Sequence, residues 1–309
     1  MFRDGRLVHV GGNIFALPHA LNSSVEIARL VGAVAPAEAV VTGWAAALLH
    51  GVRDAGPSMQ RRGGAPIQLC LARGDHRAPP GFDTLRVQLG PDDVEVVDGV
   101  RVTTPARTAY DMARFSSSLP NAVGVIDAFR SELSRTQLDL AELSALQEPR
   151  PRGKGHPLLR AAIPLSSTRS RSIPETRLRV RAGTVLGLAP TDFAVNAVLE
   201  AAGVVWELDL LDWTSGLVIE YDSVHHAGTE QRDRDAQKDS DIREEGLEIT
   251  RVNSVRLGRP DVELARFLHQ GRERALRSGA RVLQRGLPRH SGSPSDRYES
   301  IDLRCNGDR

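Results

Sequence analysis

The stretch Glu207-Leu208-Asp209-Leu210, followed nine residues later by Glu220-Tyr221-Asp222-Ser223-Val224-His225-His226, concentrates carboxylates and imidazoles in one short piece of chain. On a strand side chains alternate between faces, so Glu220 and Asp222 share a side with Val218, while Tyr221 shares the other with Ile219. An exposed edge strand gives the same pattern with no chemistry attached. The apolar Leu217-Val218-Ile219 before these acids instead suits a central strand leaving its core. Asp209 lies near the end of the preceding strand, and a hairpin between the two places Asp209 and Glu220 side by side. Adjacent carboxylates raise each other's pKa unless a cation lies between them. Hard oxygen ligands suit Mg²⁺ or Mn²⁺. Such an ion can bind a phosphodiester oxygen, deliver an ionised water and stabilise the leaving oxyanion. His225 or His226 then serves as general acid, general base or outer ligand near neutral pH.

The next helix brings Asp235, Asp239 and Ile242 onto one face at i, i+4 and i+7, with Gln231 four residues earlier. An apolar Ile242 on that face turns the two aspartates toward a sheet. The competing reading is a solvated helix face, since Arg232, Arg234, Lys238 and Arg243 share the helix.

The elements that position these residues read as α-β-β-β-α-β-α. A helix covers 173–185, strands cover 193–199, 204–210 and 217–221, a charged helix covers 229–245, a strand covers 247–252 and a long helix covers 260–283. Upstream, 6–17 reads as a hairpin, 24–34 as a helix, and 40–51 as a helix capped by Thr42 and closed by Gly51. Strands are predicted at 67–72, 85–89, 94–97 and 101–103. Thr104-Pro105 opens a further helix, and two more cover 122–133 and 138–146. The chain has 309 residues, 40% of them apolar and 26% charged, which suits two folded domains. The boundaries expected are 1–147, a basic linker 148–171 with a helical turn at 157–162 as an alternative within it, a second domain 172–287 and a structureless tail 288–309.

The formal charge of +1 conceals an asymmetry. Residues 148–182 carry nine Arg or Lys against two Glu, and residues 207–248 carry thirteen Asp or Glu against four Arg or Lys. Arg169, Arg171 and Arg177 in the basic block are candidates for gripping a phosphate backbone. Only two lysines occur, Lys154 and Lys238. Two cysteines, Cys70 and Cys305, cannot by themselves hold zinc. No apolar run is long enough for a membrane span, and Met1-Phe2-Arg3-Asp4-Gly5 lacks a signal-peptide profile. A cytoplasmic location with no membrane partner is therefore expected.

Two resemblances attach to these residues. Pro174-Glu175-Thr176, Leu208-Asp209, Ile219-Glu220-Tyr221-Asp222, His225, Asp235 and Gly246-Leu247-Glu248-Ile249-Thr250-Arg251-Val252 resemble the C-terminal domain of a family of actinobacterial proteins. That domain is similar to the very-short-patch-repair endonuclease of the PD-(D/E)xK superfamily. The resemblance implies a restriction-endonuclease-like α/β sandwich with a central mixed sheet, and Mg²⁺-dependent cleavage of DNA. Glu175, Asp209 and Glu220 match its metal-site acids, and His225 matches the histidine after the family's Glu-x-Asp-Gly run. Asp222 stands where the superfamily lysine would, so the general base is unassigned, and Ser223 replaces the expected glycine. Residues 42–51 and 103–113 resemble the AbiEi-type antitoxin of abortive-infection systems. In that family a winged helix-turn-helix binds DNA and the following domain opposes a toxin of nucleotidyltransferase type. Here the chain begins at what resembles only the last hairpin of the winged module. The expected function is a metal-dependent DNA endonuclease in repair or defence. The alternative is a non-catalytic antitoxin or transcriptional regulator of a type IV toxin–antitoxin system, built on a decayed nuclease fold.

Overall fold

Thr104 accepts a hydrogen bond from the Arg107 amide, Pro105 presets φ, and a helix begins where the sequence places it. It belongs to the first of two units, Met1–Ile173 and Pro174–Arg309. The computed structural model describes residues 8–11, 14–16, 26, 30, 34–52, 66–71, 82–147, 153–222 and 229–278. The histidines His225 and His226, the segment 288–309 and most of the expected helix 24–34 lie outside these residues.

In the first unit, β1 (Val8–Gly11) and β2 (Ile14–Ala16) form an antiparallel pair. A five-stranded mixed sheet follows, from β3 (Val40–Thr42), β4 (Ile67–Cys70), β5 (Phe82–Thr84), β6 (Val94–Val97) and β7 (Val100–Thr103), in the order β5-β4-β3-β7-β6. Its helices are α1 (Gly43–Leu49), α2 (Pro105–Arg114), α3 (Leu119–Arg130), α4 (Leu140–Gln147) and α5 (His156–Ala162).

Three local expectations change. Val40-Val41-Thr42 is a buried central strand, not the start of a helix. Three consecutive β-branched residues fit a pleated ladder between β4 and β7 better than a helical turn. Residues 85–89 are not a strand: the Leu85 amide makes one more bond to the Leu69 carbonyl, and the chain then leaves the sheet. Within the stretch expected as a linker, the alternative of a helical turn at 157–162 holds: α5 is folded, with Leu159 and Ala162 fully buried. Tyr110 of α2 and His156 of α5 are hydrogen-bonded through Oη and Nε2.

The first unit also buries an ionic network. Arg107 is 1% exposed; its Nε donates to Asp111 Oδ2 at 2.8 Å and its Nη1 to Asp93 Oδ2 at 2.7 Å. Arg114 adds a contact to Asp111 Oδ1 at 2.7 Å. Burial pushes the nearby Cys70 thiol up to about 12, with Asp111 adding to the rise, so this cysteine stays protonated and unreactive.

The second unit is built from α6 (Ile173–Leu186), β8 (Phe193–Ala201), β9 (Val204–Asp212), β10 (Leu217–Asp222), α7 (Thr229–Glu244), β11 (Glu248–Asn253), a one-turn α8 (Ser254–Leu257) and α9 (Asp261–Ser278). The predicted order holds, with α8 the addition; Asn253 caps it by accepting from the Arg256 amide. The sheet runs β11-β10-β9-β8, parallel between β10 and β11 and antiparallel elsewhere. Leu178 and Ala182 of α6 and Leu264 and Leu268 of α9 share one core with Leu210, Leu217, Ile219 and Val252. Ile242 of α7 shares the other with Ala197, Leu208, Val218 and Ile249. Helices thus cover both faces of a mixed sheet. Gly271 lets α9 approach closely, because a Cβ there would lie 2.8 Å from Thr250 Oγ1. Among the described residues no helix is long and apolar enough to cross a membrane.

Candidate functional site

The ladder between β9 and β10 pairs Leu217 with Asp212, Val218 with Leu211 and Ile219 with Leu210, and then stops. The next two residues are Asp209 and Glu220. In place of a backbone rung, the Tyr221 amide donates to Asp209 Oδ2 at 2.8 Å, and the Asp209 amide lies 3.4 Å from Glu220 Oε1. The carboxylates therefore hold the two strands where the backbone ladder opens.

The same level of the sheet is kinked on its other side. Asn196 of β8 faces Asp209 in register but falls out of the β8–β9 ladder, with φ of +47°. The alternation of faces slips at both residues. Val195 and Leu210 face the core under α6 and α9, yet Ala197 and Leu208, two positions away along each strand, pack under α7. Buried Asn196 places its Nδ2 3.5 Å from Glu175 Oε2 on α6. Left-handed backbone costs a non-glycine residue about 1–2 kcal/mol, with asparagine among the best tolerated. Asn196→Ala is expected to lower stability by about 1–2 kcal/mol, and Asn196→Gly to recover most of that loss. Urea unfolding of the three proteins checks this; equal losses for Ala and Gly would show that the side chain matters and the backbone does not.

The residue that completes the cluster is Lys238 of α7. Its ammonium donates to Glu220 Oε1 at 2.9 Å, to Glu220 Oε2 at 2.7 Å and to the Glu207 carbonyl at 2.5 Å. Both side chains are largely buried, at 14% and 11% exposure. Burial raises the Asp209 carboxyl, and the charges of Glu220 and Glu175 raise it further. The Tyr221 amide and Lys238 pull the other way, and the balance is about 7.

Of the metal-site acids expected from the sequence, Asp209 and Glu220 are neighbours, and Glu175 is near enough to act on Asp209 through its charge. Their hard oxygens suit Mg²⁺ or Mn²⁺ in type, but not in disposition. Both Glu220 oxygens hold Lys238, and one Asp209 oxygen holds a backbone amide. Among the described residues no group of three His, Cys, Asp or Glu is arranged to hold a metal ion. The residues as placed do not fit the ion.

The remaining expected residues scatter. Asp222 is exposed at the end of β10 and bonds to none of Asp209, Glu220 or Lys238. Asp239 is half-buried and pairs with Arg251 of β11 at 2.7 Å and more loosely with Arg243. Asp235 is half-buried on α7. Gln231 falls at the start of α7, its side chain outside the described residues. Arg169 and Arg171 belong to the first unit, whereas Arg177 is exposed on α6 of the second. The basic block is partly structural: Arg179 is buried, and Arg181 is tied to Asp261 and to the Leu257 and Arg259 carbonyls.

Three residues of this region escaped the reading of the sequence. Asn196 gives no sequence signal. Asp241, which accepts the Trp206 indole at 2.6 Å, lies inside a charged run. Lys238 carries one signal: it is one of two lysines in a chain that otherwise uses arginine.

Comparison with known families places the AbiEi antitoxin C-terminal domain on residues 38–159. That match spans β3 to α5 and bears out the antitoxin resemblance there. It stops within the first unit, so the endonuclease resemblance of the second draws no support from it. Neither the curated proteins nor the solved structures give a match.

Proposed function

We propose that the protein is an antitoxin-type regulator of a toxin–antitoxin system, in which the first unit opposes a nucleotidyltransferase-like toxin and the chain binds DNA without cutting it. The AbiEi match over residues 38–159 carries this reading. The placement of Lys238 on Glu220 favours binding over hydrolysis in the second unit. Arg169, Arg171 and Arg177 supply phosphate contacts. Binding is expected to persist in EDTA and to weaken roughly 40-fold between 50 and 200 mM salt if three phosphates are neutralised. Each Arg→Ala change reduces the salt slope by about one unit. Fluorescence anisotropy on duplex DNA reads both, and a flat salt response removes the DNA-binding half. Co-expression with a nucleotidyltransferase-like toxin tests the other half: growth arrest that the protein fails to relieve counts against the antitoxin role.

The adjacency of Asp209 and Glu220 favours one second reading, a Mg²⁺- or Mn²⁺-dependent endonuclease in which Lys238 must first give up Glu220 to the ion. It requires plasmid nicking that Asp209→Ala and Glu220→Ala each abolish.

A further inference from the structure

The carboxylates of Asp209 and Glu220 meet at an opened ladder, where two negative groups need a cation. The chain provides one. All three N–H bonds of the Lys238 ammonium are used, two on Glu220 and one on the Glu207 carbonyl. Glu220 Oε1 also lies 3.4 Å from the Asp209 amide, so the ammonium reaches the junction of the two acids. Three of the four carboxylate oxygens of the pair are engaged by the protein itself. A divalent ion entering here must first expel a largely desolvated ammonium, which leaves a buried charge without its partner.

We propose that Lys238 is the resident cation of this cluster, closing the seat that a divalent metal would take at Asp209 and Glu220 and making the second unit refractory to metal. Its ammonium is a compact point charge that fits the cleft between the carboxylates. The inference concerns the second unit alone and holds whether or not the first is an antitoxin.

The test is Mn²⁺ binding to the full chain at pH 7.5, with free Mn²⁺ read by electron paramagnetic resonance. Wild type is expected to bind no more Mn²⁺ than Asp209→Asn. Lys238→Met is expected to gain a site about tenfold tighter or better, because a doubly charged ion then meets two uncompensated carboxylates. Adding Asp209→Asn to Lys238→Met removes that site. Lys238→Arg, which restores a positive charge, is expected to behave as wild type. Circular dichroism verifies that each variant is folded. If Lys238→Met does not fold, wild type against Asp209→Asn still decides. Asp209-dependent Mn²⁺ binding by wild type overturns the proposal, and so does a folded Lys238→Met that binds no better than wild type.

Discussion

Replacing Arg107 with methionine is expected to destabilise the first unit by about 3–5 kcal/mol, the cost of stripping one partner from a buried ion pair. The guanidinium is 1% exposed and bridges Asp93, just before β6, to Asp111, on α2. Methionine retains the apolar stem but leaves both carboxylates short of their main donor. Arg114 still contacts Asp111, which places the loss toward the lower end of that range. Asp111→Asn, combined with Arg107→Met, is expected to recover part of the loss, because an amide carries no buried charge. Arg107→Lys cannot span both carboxylates and keeps only part of the pairing. Urea unfolding of the four proteins measures these differences. A loss under about 1 kcal/mol for Arg107→Met would mean the network is bypassed by water.

Asp209 carries the second large effect, and it is a dependence on pH. The folded pKa of about 7 lies well above the ordinary 3.8, so the folded state holds its proton more tightly than the unfolded state. Below about pH 4 both states are protonated and the group costs nothing. Between about pH 4 and 7 stability falls as pH rises, and above pH 7 the full penalty applies. A shift of this size corresponds to at most about 4 kcal/mol. Asp209→Asn is expected to be more stable than wild type at pH 8 by about 2–4 kcal/mol, equal to it near pH 4, and to lack the decline between. The amide oxygen can still accept from Tyr221, so the stitch across the opened ladder survives. Parallel pH profiles for the two proteins would show that Asp209 ionises freely.

Much of the second unit was legible because its periods are clean. Leu217-Val218-Ile219 and the alternation from Leu247 to Val252 fixed two strands to within a residue or two. The Asp209–Glu220 adjacency followed from hairpin spacing alone. Lys238 did not, because it depends on how α7 is rotated over the sheet. A helix with charge on nearly every side gives no apolar stripe to set that rotation. In the first unit Val40-Val41-Thr42 was drawn into the adjoining Ala-rich helix, and only pairing with β4 and β7, distant in sequence, makes it a strand. The endonuclease resemblance rested on which acids are present. The structure shows what those acids are bonded to.

The left-handed Asn196 also governs what β8 can do as the outermost strand of its sheet. A straight nine-residue edge would present an unbroken row of amides and carbonyls to any second chain. The kink divides that row into two short pieces whose donors no longer point along one line. An incoming strand meets a missing rung at Asn196 and has to accommodate it, as β9 does, to pair along the whole edge. The residue beside the carboxylate cluster therefore also breaks the regularity of the sheet's outer margin, a feature that disfavours edge-to-edge self-association.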